Sequence, residues 1–214
     1  MGGGLIPDGS VPDFIPSMAE YPTDNLLPFQ GEVYYYGRIF SKAKSQELFE
    51  LLHERVSWKP DEVIMFGKRI ETSRKSAWYG DRSFEYTYSG ITKRAELWFP
   101  ELANLRRQVE VLTGKRFNSC LLNLYHNGGE GMGWHADNEP ELGKNPVIAS
   151  LSLGAERKFV FRHRTEDKKV DLVLENGSLL LMQAETQDYW LHSLPKSSQI
   201  SEPRISLTFR EIKK

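Results

Sequence analysis

The part of the chain beyond Asn118 constrains the fold most, because it consists almost entirely of short segments with strand character. These segments are rich in β-branched, aliphatic and aromatic residues and are separated by clusters of Gly, Pro, Asn and Asp, which is the pattern of strands joined by turns. The predicted strands span residues 118–126, 147–153, 157–163, 170–175, 178–183, 187–193 and 203–211. Many short strands at close spacing predict a sandwich, a barrel or a jelly roll.

The region before these strands predicts an aromatic strand over residues 33–40 and two helices. Ser41 can cap a helix that extends to about Val56, with leucines at helical spacing. Pro100 opens the second helix and Gly114 ends it. Two helices followed by many strands predict an α+β fold in which the sheet closes as a jelly roll, although the strand count alone also permits another sandwich.

The domain organisation follows from composition. The first 31 residues are rich in Gly, Pro and Asp without periodicity, so we expect residues 1–31 to form a flexible arm and residues 32–214 a single domain. No apolar run approaches the roughly 18 residues of a membrane helix, so we expect no membrane partner. Cys120 is the only cysteine, which excludes an intrachain disulfide and favours a reducing compartment, cytoplasmic or, in a eukaryote, nuclear. We expect a monomer.

The last predicted strand alternates strictly between polar and apolar residues. Its polar face carries two arginines and two hydroxyls: Arg204, Ser206, Thr208 and Arg210. Arginine presents a planar fork of donors that matches a carboxylate in a bidentate pair. The face therefore suits a cavity that holds a small dicarboxylate, although an exposed edge strand that uses arginine to discourage aggregation would show the same alternation.

His135, Asp137 and His192 are candidate metal ligands. Residues i and i+2 of an extended segment project from the same face, so His135 and Asp137 can bind one metal from one short segment. Two imidazoles and one carboxylate form the facial triad of non-haem Fe(II) oxygenases, which leaves coordination positions open. The His-x-Asp motif alone often arises by chance, so its interpretation as a metal site depends on the polar strand that follows it.

A further strand, 118–126, precedes the metal motif. Leu121, Asn123 and Tyr125 share one of its faces, and an amide and a phenol can both donate to ligand oxygens. Tyr125 alone is equally typical of an aromatic at the margin of a sheet.

Together these motifs resemble the AlkB family of Fe(II)/2-oxoglutarate-dependent dioxygenases, enzymes that repair alkylated bases in nucleic acid. Asn123-x-Tyr125, His135-x-Asp137, His192 and the two arginines of the last strand match in order, within a resemblance that covers about residues 62–212. Several further stretches are most similar to the branch that acts on double-stranded DNA: 79–81, 86–90, 159–163, 177–180 and 192–195.

The resemblance implies a double-stranded β-helix, the jelly roll, as the catalytic core over residues 118–212. It implies that His135, Asp137 and His192 bind Fe(II), with O2 as a cosubstrate. It also implies a binding set for the cosubstrate 2-oxoglutarate: Leu121, Asn123, Tyr125, Arg204, Ser206, Thr208 and Arg210. In this interpretation Arg204 binds the distal carboxylate, and Arg210 lies nearer the metal and counts among the catalytic residues.

The implied reaction is oxidative demethylation of N-alkylated bases in DNA, with release of formaldehyde, succinate and CO2. Alkylated DNA, double-stranded in the branch resembled, is therefore the expected partner. The same chemistry on methylated RNA or single-stranded nucleic acid is an alternative, and a catalytically silent nucleic-acid-binding module on the same scaffold is another. A net charge of −1 does not by itself indicate a nucleic-acid partner, but basic residues cluster in segments 68–82 and 157–169. An ordinary surface of mixed charge remains an alternative for the second cluster.

The resemblance places substrate recognition in residues 62–93, a nucleotide-recognition lid. Tyr86 and Tyr88 match aromatics that grip a base extracted from the stack. Asn138 and Glu139 follow the metal motif where the branch carries acidic pocket residues. The asparagine departs from that pattern and leaves the preferred base open.

Phe66, Gly67 and Lys68 occupy the position of a finger that fills the gap left by an extruded base in a duplex. Apolar residues immediately before Phe66 also have the composition of an ordinary buried strand. The sequence leaves both interpretations of this segment open.

Overall fold

The computed structural model describes residues 22–65, 68–88 and 91–213, and within 61–65, 68–70, 86–88 and 91–93 it describes the backbone alone. The helices of these residues, α1 to α3, are Lys42–Arg55, Pro100–Thr113 and Thr186–Tyr189, and Pro140–Leu142 forms a 3-10 turn. The strands, β1 to β14 in chain order, are Glu32–Arg38, Lys59–Met65, Lys68–Gly80, Glu85–Tyr88, Ile91–Arg94, Glu96–Leu97, Ser119–Tyr125, Met132–His135, Ile148–Gly154, Arg157–His163, Lys169–Leu174, Ser178–Gln183, Trp190–Leu194 and Arg204–Arg210.

Both long helices begin and end where the sequence predicts. The Ser41 hydroxyl accepts a hydrogen bond from the Lys44 backbone N–H at 3.1 Å, which caps α1. Gly114 ends α2 with a φ of 65°, a left-handed conformation that glycine adopts without steric cost. Both helices bury leucines in one apolar cluster with the larger sheet, for example Leu52 and Leu102.

The larger sheet has the strand order β1-β12-β9-β14-β7-β3-β2, with β6 beside β3. Strand β14 lies near its centre, antiparallel to both β7 and β9, and its register places Arg204 opposite Tyr125 and Ser206 opposite Asn123. The smaller sheet has the order β11-β10-β13-β8, and β4 and β5 form a separate hairpin. This arrangement is the α+β jelly roll that the sequence predicts.

The two faces of the larger sheet have different neighbours. One apolar cluster joins it to α1 and α2 and contains Ile205, Leu207 and Phe209, which are all fully buried. A second cluster lies between the two sheets and includes Ile148 and Phe161. Because alternate residues of β14 point to opposite faces, its arginines and hydroxyls point toward the smaller sheet.

Secondary structure differs from the prediction over 187–193, and several strands of the structure lie outside the predicted ones. Residues 187–193 are predicted as a strand, but 186–189 forms α3, because the Thr186 hydroxyl and the Gln187 side chain accept hydrogen bonds from the backbone of Glu32 and Asp137 respectively. Strand β3, Lys68–Gly80, is one strand of 13 residues that the sequence pattern did not identify, and its second half pairs with β7. Strand β8 has only four residues, too few for a periodicity signal.

Residues just before β1 dock onto the domain. Leu27 is buried at 3% exposure, and the Trp190 indole N–H donates to the Phe29 carbonyl at 3.1 Å. The Asn25 side chain accepts hydrogen bonds from the backbone of Leu27 and Val33. None of the helices in the described part of the chain combines the length and the apolar character of a transmembrane helix.

Candidate metal and cosubstrate site

Three candidate ligands converge at the edge of the smaller sheet. His135 ends β8, Asp137 follows in the next turn, and His192 lies on β13 directly opposite His135 in the register. One potential ligand atom from each of these residues lies within 4.8 Å of the other two. The pairing of β8 with β13 therefore brings the distant His192 to the local His-x-Asp pair.

The electrostatics of the cluster suit a cation. Burial alone would raise the pKa of Asp137, but the positive charge of Arg210 and the neighbouring imidazoles lower it below its ordinary value. Burial lowers the pKa of His192 to about 3. At neutral pH Asp137 is therefore ionised and His192 neutral, which are the forms that bind metal.

Hydrogen bonds orient the ligands. His135 Nδ1 lies 2.8 Å from the Gly133 carbonyl, which can only accept, so Nδ1 carries the proton and Nε2 keeps a lone pair for a metal. Arg210 Nη2 donates to Asp137 Oδ1 at 2.8 Å, and the Asp137 backbone N–H donates to the buried side chain of Gln187 at 2.9 Å. Arg210 thus fixes the Asp137 carboxylate and, through Nη1, contacts Glu139 at 3.5 Å.

The cluster opens into a cavity of about 190 Å³ between the two sheets. Its lining includes every residue predicted to bind the cosubstrate: Leu121, Asn123, Tyr125, Arg204, Ser206, Thr208 and Arg210. It also includes residues that no sequence motif assigns to the site: Met132, Ser150, Phe159, Met182 and Leu194. These lie on β8, β9, β10, β12 and β13, strands whose apolar runs do not distinguish a pocket wall from a core.

Arg204 is the strongest indication of an anionic ligand. Its side chain is only 2% exposed, and Nη2 donates to the Ser152 hydroxyl at 2.9 Å, while Nε has no hydrogen-bond partner. Burial lowers the pKa of Arg204 to about 10, so the guanidinium stays charged at neutral pH. Among the described residues no carboxylate forms an ion pair with it. A buried charge is costly unless it is paired, and the distal carboxylate of 2-oxoglutarate would pair it.

The predicted substrate residues are less completely described. Tyr86 and Tyr88 lie on β4, opposite Lys93 and Ile91 of β5, with the backbone alone described. Glu139 lines the cavity and Asn138 is exposed beside it. Their roles in substrate binding stay predictions.

The predicted finger, Phe66, Gly67 and Lys68, lies mostly outside the described residues. Phe66 and Gly67 lie outside the described residues, and Lys68 begins β3 with the backbone alone described. The role of this segment also stays a prediction.

Gln187 was missed as a site residue for a physical reason. It lies in a segment that is predicted as a strand, and only the tertiary fold brings its side chain to the Asp137 backbone. Sequence spacing carries no signal for such a contact.

Known proteins share both the sequence and the fold of this chain. Residues 32–210 match the family model of the 2OG-Fe(II) oxygenase superfamily. The chain is 40% identical to the DNA oxidative demethylase ALKBH2 of Homo sapiens over 83% of this chain and 72% of that protein. It is 40% identical to the alpha-ketoglutarate-dependent dioxygenase alkB homolog 3 of Homo sapiens over 77% of this chain and 60% of that protein.

A solved structure supports the fold independently. The structure of OsALKBH1 superposes with a TM-score of 0.61 and covers 84% of this chain and 97% of that chain. Its sequence identity is 14%, so this likeness concerns the fold alone.

Proposed function

The chain belongs to the 2OG-Fe(II) oxygenase superfamily and, within it, to the AlkB family, and we propose that it demethylates N-alkylated bases in DNA. The observation that carries the proposal is the cluster of His135, Asp137 and His192, of which the last two are buried, in one cavity with the buried guanidinium of Arg204. The cluster suits Fe(II) and the guanidinium suits a dicarboxylate, so the cavity fits both groups that the family uses. Relatives of about 40% identity named DNA oxidative demethylases support DNA as the substrate.

Each ligand residue has a defined part in this proposal. His135 and His192 would supply imidazole nitrogens to Fe(II), and Asp137 a carboxylate oxygen. Arg210 would keep the Asp137 carboxylate ionised and oriented, because its guanidinium donates to that carboxylate. The backbone contact to Gln187 holds the same turn from the other side.

The cosubstrate would bind along the polar face of β14. Arg204 would hold its distal carboxylate, and Asn123 and Tyr125 on the adjacent β7 offer further donors. Bound together, Fe(II), 2-oxoglutarate and O2 supply an oxidation that turns an N-methyl group into a hydroxymethyl group, which leaves as formaldehyde, with succinate and CO2 as the other products. The apolar walls of the cavity, such as Phe159, would limit the access of water.

The preferred form of DNA is part of the proposal. We favour duplex DNA, because the stretches around Tyr79, Tyr86 and His192 are most similar to the duplex-acting branch, and because Phe66 occupies the position of a finger that would fill the gap left in a duplex. Tyr86 and Tyr88 would hold the extruded base, with Asn138 and Glu139 at the rim of the pocket. A monomer suffices for this chemistry, since one chain supplies all the proposed ligands.

The test is incubation with Fe(II), 2-oxoglutarate and methylated oligonucleotides, followed by mass spectrometry. The panel holds duplex DNA, single-stranded DNA and RNA with the same methylated base. We expect loss of the methyl group from DNA and no loss with His135→Ala, Asp137→Ala or His192→Ala. His53→Ala, which changes an exposed histidine of α1, is the matched control and should retain activity. Full activity in any of the three ligand variants would contradict the metal assignment, and activity on RNA alone would contradict the DNA assignment.

A further inference from the structure

An exposed tryptophan lies next to a metal ligand in the chain. Trp134 immediately precedes His135 on β8 and is 40% exposed, one of few large apolar side chains on the described surface. Because successive strand residues point to opposite faces, Trp134 lies on the outer face of the smaller sheet while His135 faces the cavity. Trp134 neither lines the cavity nor belongs to either of the two apolar clusters.

The surroundings of Trp134 are cationic and open. The guanidinium of Arg162, on β10, lies 4.6 Å from the centre of the indole ring. Strand β13 lies between β10 and β8, and β8 is the end strand of this sheet. Arg162 therefore contacts the indole from the side of β13, opposite to the free edge of the sheet.

More charges of the same sign continue along this face. Arg164, Lys168 and Lys169 are exposed in the hairpin that joins β10 to β11, and Lys169 lies directly opposite Arg162 in the register. Glu166 and Asp167 in the same hairpin offset part of this charge. Aromatic rings interleaved with cations form the usual platform for a nucleic-acid strand, where a base stacks on the ring and the cations contact phosphates.

We propose that Trp134 and Arg162 form a stacking platform for an unpaired DNA base that flanks the base being demethylated. This proposal rests on the proposed function for DNA as the substrate, and it concerns single-stranded DNA, in which the flanking base has no pairing partner. The target base enters the cavity on the inner face of β8, and the same strand then passes around the free edge of this sheet to the outer face. Arg162 holds the indole from one side, and the flanking base stacks on the other side.

The platform predicts a specific loss of DNA affinity. Binding of a fluorescently labelled, unmethylated single strand of about 16 nucleotides is measured by anisotropy, with the full chain, Fe(II) and 2-oxoglutarate under anaerobic conditions, where no turnover occurs. Trp134→Ala should weaken binding about tenfold, within the range measured for base stacking on aromatics. Trp134→Phe, which keeps a stacking face, should restore most of the affinity. Val111→Ala, a change at an apolar residue of α2 that is 73% exposed, should leave it at the wild-type value.

An abasic scan identifies the base that stacks. A strand with one methylated base is prepared with an abasic residue at each flanking position in turn. One position should weaken binding by the wild-type protein about as much as Trp134→Ala does, and the two changes together should cost no more than either alone, because both remove the same contact. Wild-type affinity in Trp134→Ala, or additive losses at every abasic position, would overturn the platform. Demethylation is scored separately, so failure of the proposed function and failure of the platform are distinguishable.

Discussion

Replacing Arg204 tests the cosubstrate site. Its guanidinium is buried, charged at neutral pH and unpaired by any described carboxylate, so a bound dicarboxylate would be its counter-ion. Removing one partner of a buried ion pair costs about 3–5 kcal/mol, and each 1.4 kcal/mol is a factor of ten. Arg204→Met should therefore raise the KM for 2-oxoglutarate at least about 100-fold. Arg204→Lys should raise it less, because lysine keeps the charge but loses the bidentate fork.

The assay is the initial rate of succinate formation against 2-oxoglutarate concentration, with methylated DNA held at saturation. Arg38→Met is the matched control, because Arg38 is exposed and pairs with Glu156 and Glu175 away from the cavity. Thermal melting of the metal-free Arg204→Met protein should show no loss of stability, since the change removes a buried charge. A lowered kcat with an unchanged KM for 2-oxoglutarate would refute the reasoning, because Arg204 would then not bind the cosubstrate.

Three further predictions concern the finger and the core. Phe66→Ala should lower activity on methylated duplex DNA more than on a single strand, because extruding a base from a duplex costs a few kcal/mol that a wedge offsets. Equal losses of activity on both substrates, with a lowered melting temperature, would contradict the finger assignment. Burial raises the pKa of the Cys120 thiol, so the thiol should resist alkylation in the folded protein, and the free energy of unfolding should fall as the pH rises above about 9, where only the unfolded thiol ionises. Gly154→Ala should destabilise the protein by about 1–3 kcal/mol in urea unfolding, because Gly154 has a φ of 86° and its added Cβ would lie 2.5 Å from the Pro203 carbonyl; an unchanged midpoint would contradict this.

The features that the sequence predicts well are those with a local signal. The alternation of β14 identifies both its buried face and its arginine face, because a strand has a period of two. Ser41 and Gly114 mark helix ends, because capping depends on one residue and its neighbours. The His-x-Asp pair needs only an extended segment to point both side chains to one side.

The remaining features depend on contacts between distant parts of the chain. His192 joins the metal cluster because β13 pairs with β8, and no spacing rule predicts that pairing. Gln187 lies in a helical turn that tertiary hydrogen bonds impose on a strand-like sequence. The exposure of Trp134 was likewise not predictable, because a tryptophan is more commonly packed in a core or a pocket wall.

The stoichiometry of turnover with DNA tests the central claim most directly. A duplex with one N-methylated base and the same duplex without the methyl group are each incubated with the protein, Fe(II) and limiting 2-oxoglutarate. Succinate and formaldehyde are quantified together with the mass of the DNA. The proposed function predicts one succinate and one formaldehyde for each base that loses its methyl group, and much slower succinate formation on the unmethylated duplex. Equal succinate formation on both duplexes, with neither DNA changed in mass, would contradict it.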